Sequence, residues 1–142
     1  MKLISIHTVK STFEIPEDFI KTIQEVPGQN TELQIKHGAT LNQKADEGKL
    51  IVSLQLLLNK IQVFSHVAGL QLEEIPDTFT LTDVVSHSQM QPALLRHWGS
   101  VVNNVNWLMM NSPIGPLPIH AHLIHDIFLQ MVKNQKQEQA LA

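Results

Sequence analysis

The chain has 142 residues and contains neither cysteine nor tyrosine. Without cysteine there is no disulfide framework, thiol nucleophile, thiolate zinc site or iron–sulfur cluster. Aromatic residues are scarce, at 5%, so stacking platforms for single-stranded nucleic acid are not expected. There is no surplus of positive charge either. Ten Lys and Arg stand against 13 Asp and Glu, giving a formal net charge of −3, the wrong sign for a protein that mainly neutralises phosphates. No run approaches the ~18 consecutive apolar residues of a membrane-spanning helix, so membrane insertion is not expected. The start, Met1 to Ile6, is followed by His7, Lys10 and Glu14, which interrupt any signal-peptide core. A cytoplasmic protein is the expectation.

What is present is a 43% hydrophobic fraction, enough for the core of one domain at a length near the usual ~100–200 residues. Its periodicity changes near residue 80. Leu33, Ile35, His37, Ala39 and Leu41 alternate with polar or small residues, as in a half-buried strand. Ala45-Asp46-Glu47-Gly48 reads as a turn in which Asp and Gly supply the side-chain bond and the positive φ. Leu50, Val52, Leu54, Leu56 and Leu58 form a second strand, and Asn59-Lys60 reverses the chain into a third, Ile61 to Val67. Gly69 suggests a bulge before Leu70-Gln71-Leu72. Leu3 to Phe13 adds a fourth strand, best defined from Leu3 to Val9.

After residue 80 the period is helical. Thr80 or Thr82 ahead of Asp83 is a capping signal, and Pro92 suits a first helical residue. Leu94, Trp98, Val101, Val105 and Leu108 recur at helical spacing, with Leu95, Val102 and Met109 as a second apolar row. Gly99 within this helix suggests close backbone packing. Pro113, Pro116 and Pro118 then force an extended crossover from Asn111. A last helix is expected from about His120 to Lys133, with a flexible polar tail over 134–142 after a single domain spanning 1–133.

Catalytic patterns are missing. No G-x-S-x-G, phosphate loop or dinucleotide fingerprint occurs, and Ser65 and His66, adjacent on a strand, point to opposite faces. His120, His122 and His125 with Asp126 suggest at most incidental metal binding, because no catalytic Glu of the H-E-x-x-H type is present. The eight histidines are read as surface scatter. No enzyme activity, metal or cofactor is therefore expected. The stronger signal is apolar surface in excess of what one small sheet covers. Subunit contacts bury such surplus, and part of it can stay open as a groove, where Met109 and Met110 beside Trp107 suit an adaptable surface.

The chain resembles the SecB family of protein-export chaperones over roughly residues 3–130. The stretch from Leu3 to Pro16, ending Ser11-Thr12-Phe13-Glu14-Ile15-Pro16, is similar to that family's first strand. Val63 to Leu72 resembles its third strand, Pro92 matches a Pro opening its long helix, and Pro113 to Ile119 resembles its Pro-rich crossover. The resemblance implies an α+β fold, a four-stranded antiparallel β-meander followed by two helices joined by that crossover. It implies a dimer or dimer of dimers (a homotetramer) that holds unfolded protein clients without ATP or metal. By the same resemblance, Leu54, Leu56, Trp107, Met110, Ile114 and Leu117 would line a client groove, and Trp98, Val101, Val102 and Val105 the oligomer interface. The tail lacks a basic-apolar signature for docking the translocation ATPase, and the expected acidic sheet surface is weak, so coupling to export is not implied. An adaptor for one specific partner, with its apolar surplus buried between subunits, is the alternative.

Overall fold

In the computed structural model, residues 1–17, 19, 21 and 32–141 are described, with side chains up to residue 135 at the C-terminal end. Four strands come first, β1 (Lys2–Phe13), β2 (Leu33–Lys44), β3 (Glu47–Leu58) and β4 (Ile61–Glu73). Helices α1 (Leu81–Ser86), α2 (Met90–Met110) and α3 (Ala121–Leu141) follow. The strands form one antiparallel sheet in the order β1-β4-β3-β2. Thus β2, β3 and β4 make the expected meander, while β1 closes onto the outer edge of β4.

The alternation in the sequence became a two-sided sheet. Leu50, Val52, Leu54, Leu56 and Leu58 on β3, and Phe64, Ala68, Leu70 and Leu72 on β4, are buried beneath the helices. Their neighbours on the strands, such as Ser53, Gln55, Ser65 and Gln71, point to the opposite, open face. The β3–β4 reversal places both Asn59 and Lys60 at positive φ, the backbone whose twist matches a tight hairpin. In the β2–β3 turn it is Ala45 that adopts positive φ. Gly48 lies inside β3 instead, where a side chain would collide with Ile75.

No register shift occurs at Gly69, which pairs evenly with Ile51 and His7. Two shifts lie in its partner strand β1, between Leu3 and Ser5 and between Thr8 and Lys10, so Ile4 and Val9 are extra residues there; a third lies earlier in β4, where Val63 is extra opposite Leu56 and Leu57. Each extra residue in β1 re-phases that strand, leaving Leu3, Ile6, Thr8, Ser11 and Phe13 on the helix side. The glycine serves a different need, since a Cβ there would sit 2.8 Å from the His7 ring.

Helix α1 starts on the capping box anticipated at Thr80 and Asp83. Thr80 Oγ1 accepts from the Asp83 N–H, and the Thr80 N–H donates back to Asp83 Oδ2 at 2.9 Å. Helix α2 begins two residues before Pro92, which therefore occupies the third position, still within the turn whose N–H groups have no partner in the helix. Most of both apolar rows is covered inside one chain: Leu94, Trp98, Val101, Val102, Val105 and Met109 are buried, while Leu95 and Leu108, one from each row, are only partly buried. Helix α3 runs on past Lys133 to Leu141, where a tail had been expected. The side chains of 136–142 lie outside the described residues.

Trp98 anchors the layer between sheet and helices. Its ring packs edge-on to His37 of β2 at a centroid distance of 5.4 Å, and against Phe128 of α3 at 5.7 Å. Because it is fully buried in a single subunit, it has nothing further to bury at a subunit interface. Trp98→Ala is expected to cost about 3–5 kcal/mol in chemical denaturation. The mass of the remaining folded protein by light scattering should match the parent. Gly99 works in the opposite sense. A Cβ there would meet only Ala121 Cβ at 3.8 Å, an ordinary contact rather than close backbone packing. Gly99→Ala should therefore raise stability by about 1 kcal/mol, and a loss in the same assay would contradict that placement.

Candidate functional site

The two most exposed large apolar side chains among the described residues stand together where α2 ends, while Ile4 and Val9 lie apart from them on β1. Trp107 and Met110, three residues apart on one helix face, are 65% and 68% exposed, whereas Met109 between them is fully buried. The chain then enters the crossover, whose prolines lack N–H donors, and side chains of α2 and the turn hold it in place. Asn106 Oδ1 accepts from the Leu117 N–H at 3.0 Å. Ser112 Oγ donates to the Met109 carbonyl at 2.7 Å and accepts from the Ile114 N–H at 3.2 Å. Asn111 Nδ2 donates to the Trp107 carbonyl at 2.9 Å. Gly115 takes φ of +81° with open space around it, which turns the chain so that Leu117 and Ile119 return to the core. The result is a firm corner presenting Trp107, Met110 and the half-buried Ile114.

The residues named for a client groove therefore divide. Trp107, Met110 and Ile114 lie at this corner, and Leu117 is tucked under it, 8% exposed. Leu54 and Leu56 are fully buried beneath the helices, because they occupy the core-facing phase of β3, and they meet no ligand in this arrangement. Trp98, Val101, Val102 and Val105, named for an oligomer interface, are buried within one chain as well, with Phe128 of α3 against Trp98. Asn106 was not singled out in the sequence; its signal was an amide in the last turns of a helix preceding a donor-poor, Pro-rich segment.

Four histidines are not surface scatter. His37, His66, His97 and His125 lie between the sheet and the helices, fully or partly buried. The His37 ring spans from the Ser53 carbonyl (Nδ1, 3.3 Å) to the Ile124 carbonyl of α3 (Nε2, 3.1 Å). A neutral ring can donate to one of the two. His66 of β4 meets His97 of α2, Nε2 to Nε2, at 2.9 Å. Burial pushes His37 down to about 4, outweighing the upward pull of the two carbonyls, and nearby His125 adds to the lowering. Burial and then His97 hold His66 at about 4 as well. Burial also lowers His97 and His125, the latter against an opposing pull from Asp126 and with a further lowering from His122. The Trp98 Nε1 and both His125 ring nitrogens make no hydrogen bond within the protein, so this seam is polar without being fully paired. His120 is occupied at the start of α3, its Nδ1 accepting from the Leu123 N–H. Among the described residues, no three His, Asp or Glu side chains come together as a metal site, and no helix is long and apolar enough to cross a membrane.

A solved structure shares this arrangement. The Mycobacterium tuberculosis Rv1957 SecB-like chaperone, in complex with a ChAD peptide from the Rv1956 HigA1 antitoxin, matches over 84% of this chain and 86% of that one, with a TM-score of 0.54 and 8% sequence identity. The fold is SecB-like. A protein of unknown function from Streptococcus agalactiae also matches, at 15% identity and a TM-score of 0.38, over 84% of this chain and 98% of that one. No family model and no curated protein matches the sequence. The shared arrangement is the four-stranded antiparallel sheet followed by helices.

The buried histidines make this SecB-like fold acid-sensitive in a defined window. Their neutral forms are favoured in the fold, so the stabilisation is complete above the ordinary histidine value of about 6.5 and is lost as pH falls towards about 4. Denaturation across that window should show a falling unfolding free energy, and His66→Leu should flatten the fall. Stability that stays level throughout would place these rings in water.

Proposed function

We propose that the chain is an ATP-independent, SecB-like chaperone that holds unfolded or apolar polypeptide segments, acting as a homo-oligomer in the cytoplasm. The observation that carries this reading is the exposure of Trp107 and Met110 on one helix face, beside a crossover pinned by Asn106 and Ser112. Large side chains of this kind are normally hidden unless they meet a partner. A tryptophan gives a rigid apolar anchor, while an unbranched, polarizable methionine adapts to clients of different shape. Ile114 extends the surface into the crossover. The firm corner keeps these side chains from folding back into their own core, so no ordering has to be completed when a client arrives. The fold, shared with a SecB-like chaperone solved with a bound peptide, supports a role in binding polypeptide. No nucleotide-binding motif in the sequence suggests a need for ATP, and we read the chain as a binding protein rather than an enzyme.

An adaptor that serves one specific partner is the competing reading. Its support is the small size of the exposed corner once most of both apolar rows of α2 is buried. The two readings separate on breadth of clients. Dilution of several chemically denatured proteins into buffer containing the chain should give less light scattering than dilution into buffer alone. Trp107→Ser/Met110→Ser should weaken client affinity by roughly tenfold or more, the scale of a lost aromatic anchor, without changing the melting temperature. Failure to suppress scattering with any client would overturn the chaperone reading, and suppression confined to one client would favour the adaptor.

A further inference from the structure

The open face of the sheet, on the side away from the helices, has a charge opposite to that of the whole molecule. Strand alternation and the pairing register place Lys2, Lys10, Lys36, Lys44 and Lys49 on it, all exposed, together with Glu47 and Glu73. Five of the ten cationic residues in the chain therefore stand on one face, with an excess of three positive charges. Since the whole chain carries −3, the remainder carries −6.

The distribution within the face is also uneven. Lys2 pairs across the strands with Glu73, and Lys44 with Glu47. Lys10 pairs with Val67, Lys36 with Gln55, and Lys49 with Asn42 on one side and Gln71 on the other. These three lysines have no carboxylate directly opposite. Between them the Ser53 hydroxyl lies over Gly38 and the His7 ring over Gly69, and hydroxyl and amide groups such as Thr40, Ser53 and Gln55 offer hydrogen bonds. A hollow of about 330 Å³ opens at the turn end of this face, bordered by His7, Asn42, Lys44, Glu47, Lys49 and Gln71.

We infer that this face is a docking surface for an acidic polypeptide segment, separate from the apolar corner at Trp107. The charge complementarity is that of carboxylates to lysines on a flat, hydrogen-bonding floor. The surface is rigid, because it is the back of the packed sheet, and its four strands span about 15 Å at the usual spacing between strands, the breadth of a short segment. A nucleic acid fits less well. Among the described residues the face holds no arginine and, apart from the His7 ring lying against Gly69, no aromatic ring for base contacts or stacking, and the charge of the chain outside the face, −6 in all, disfavours a long polyanion. Polypeptide carboxylates can be confined to the face itself.

The test is fluorescence anisotropy with a labelled peptide of about 12 residues alternating Glu and Ser, which at ~3.3 Å per residue matches the length of the strands. A Lys and Ser peptide and a single-stranded oligonucleotide serve as comparisons. The acidic peptide should bind, its affinity should fall as salt is added, and Lys10→Glu/Lys36→Glu/Lys49→Glu should weaken it by roughly tenfold or more. A milder variant with Gln at the same three positions should give the same direction if the Glu variant fails to fold. Both variants should still suppress client aggregation, since Trp107 lies on the other side of the sheet, and so the two readings can fail separately. No binding of the acidic peptide, equal binding by the variants, or tighter binding of the oligonucleotide would overturn the proposal.

Discussion

Two long helices laid over one face of a four-stranded sheet must cover every alternate residue of β3 and β4, and that covering determines the rest of the molecule. Each buried Leu, Val or Phe contributes about 1.5–3 kcal/mol, so the arrangement that hides the most of them prevails over local preferences. Trp98 stands at its centre, touching β2 through His37 and α3 through Phe128. Once α2 is held there, the same helical spacing that buries Met109 in its last turn turns Trp107 and Met110 outward. The exposed corner is thus the outer face of the same turn whose inner face reaches the core. Asn106 and Ser112 then stop the crossover from closing over it.

The polar seam beneath the helices has a different logic. Histidine at core-facing strand positions keeps the alternation intact while adding polar links across the layer, as His37 does to α3 and His66 to α2. These links are weaker organisers than the apolar packing around them, since three polar atoms nearby make no hydrogen bond within the protein and each such group costs free energy when buried. The helices are therefore held to the sheet by volume and shape first, with the rings setting which register of helix against strand is preferred.

Strands β2 and β3 were legible because their period of two is unbroken, and β4 because its period holds from Phe64 onward, after the extra residue at Val63. The capping pair Thr80 and Asp83 was legible too, being a local chemical signal that needs no tertiary information. Strand β1 was less so, because the residues at Ile4 and Val9 shift the phase and spoil a simple alternation. The second apolar row of α2 was visible as a pattern, but a pattern does not say what covers it. The sequence alone could not tell a partner subunit from α3, and Val102 is in fact covered within the chain. Leu54 and Leu56 were misplaced for the opposite reason, since an apolar alternating strand has the same appearance whether its leucines face a groove or a core. The histidines were misread because polarity was taken as exposure, and a ring with two nitrogens can be satisfied internally.

The two extra residues in β1 matter beyond phasing. This strand lies at the edge of the sheet, with its outer backbone groups not used by β4, and such an edge is a template for adding another strand. Ile4 and Val9 bend it at two points, leaving only the short run from Ser5 to Thr8 straight between them. An incoming strand that bonds to one segment drifts out of register at the next, and Lys2 and Lys10 near the breaks add charge where it would lie. A sheet with a free edge is open to growth by other extended chains. The irregular border limits how far such growth can run along its own sheet.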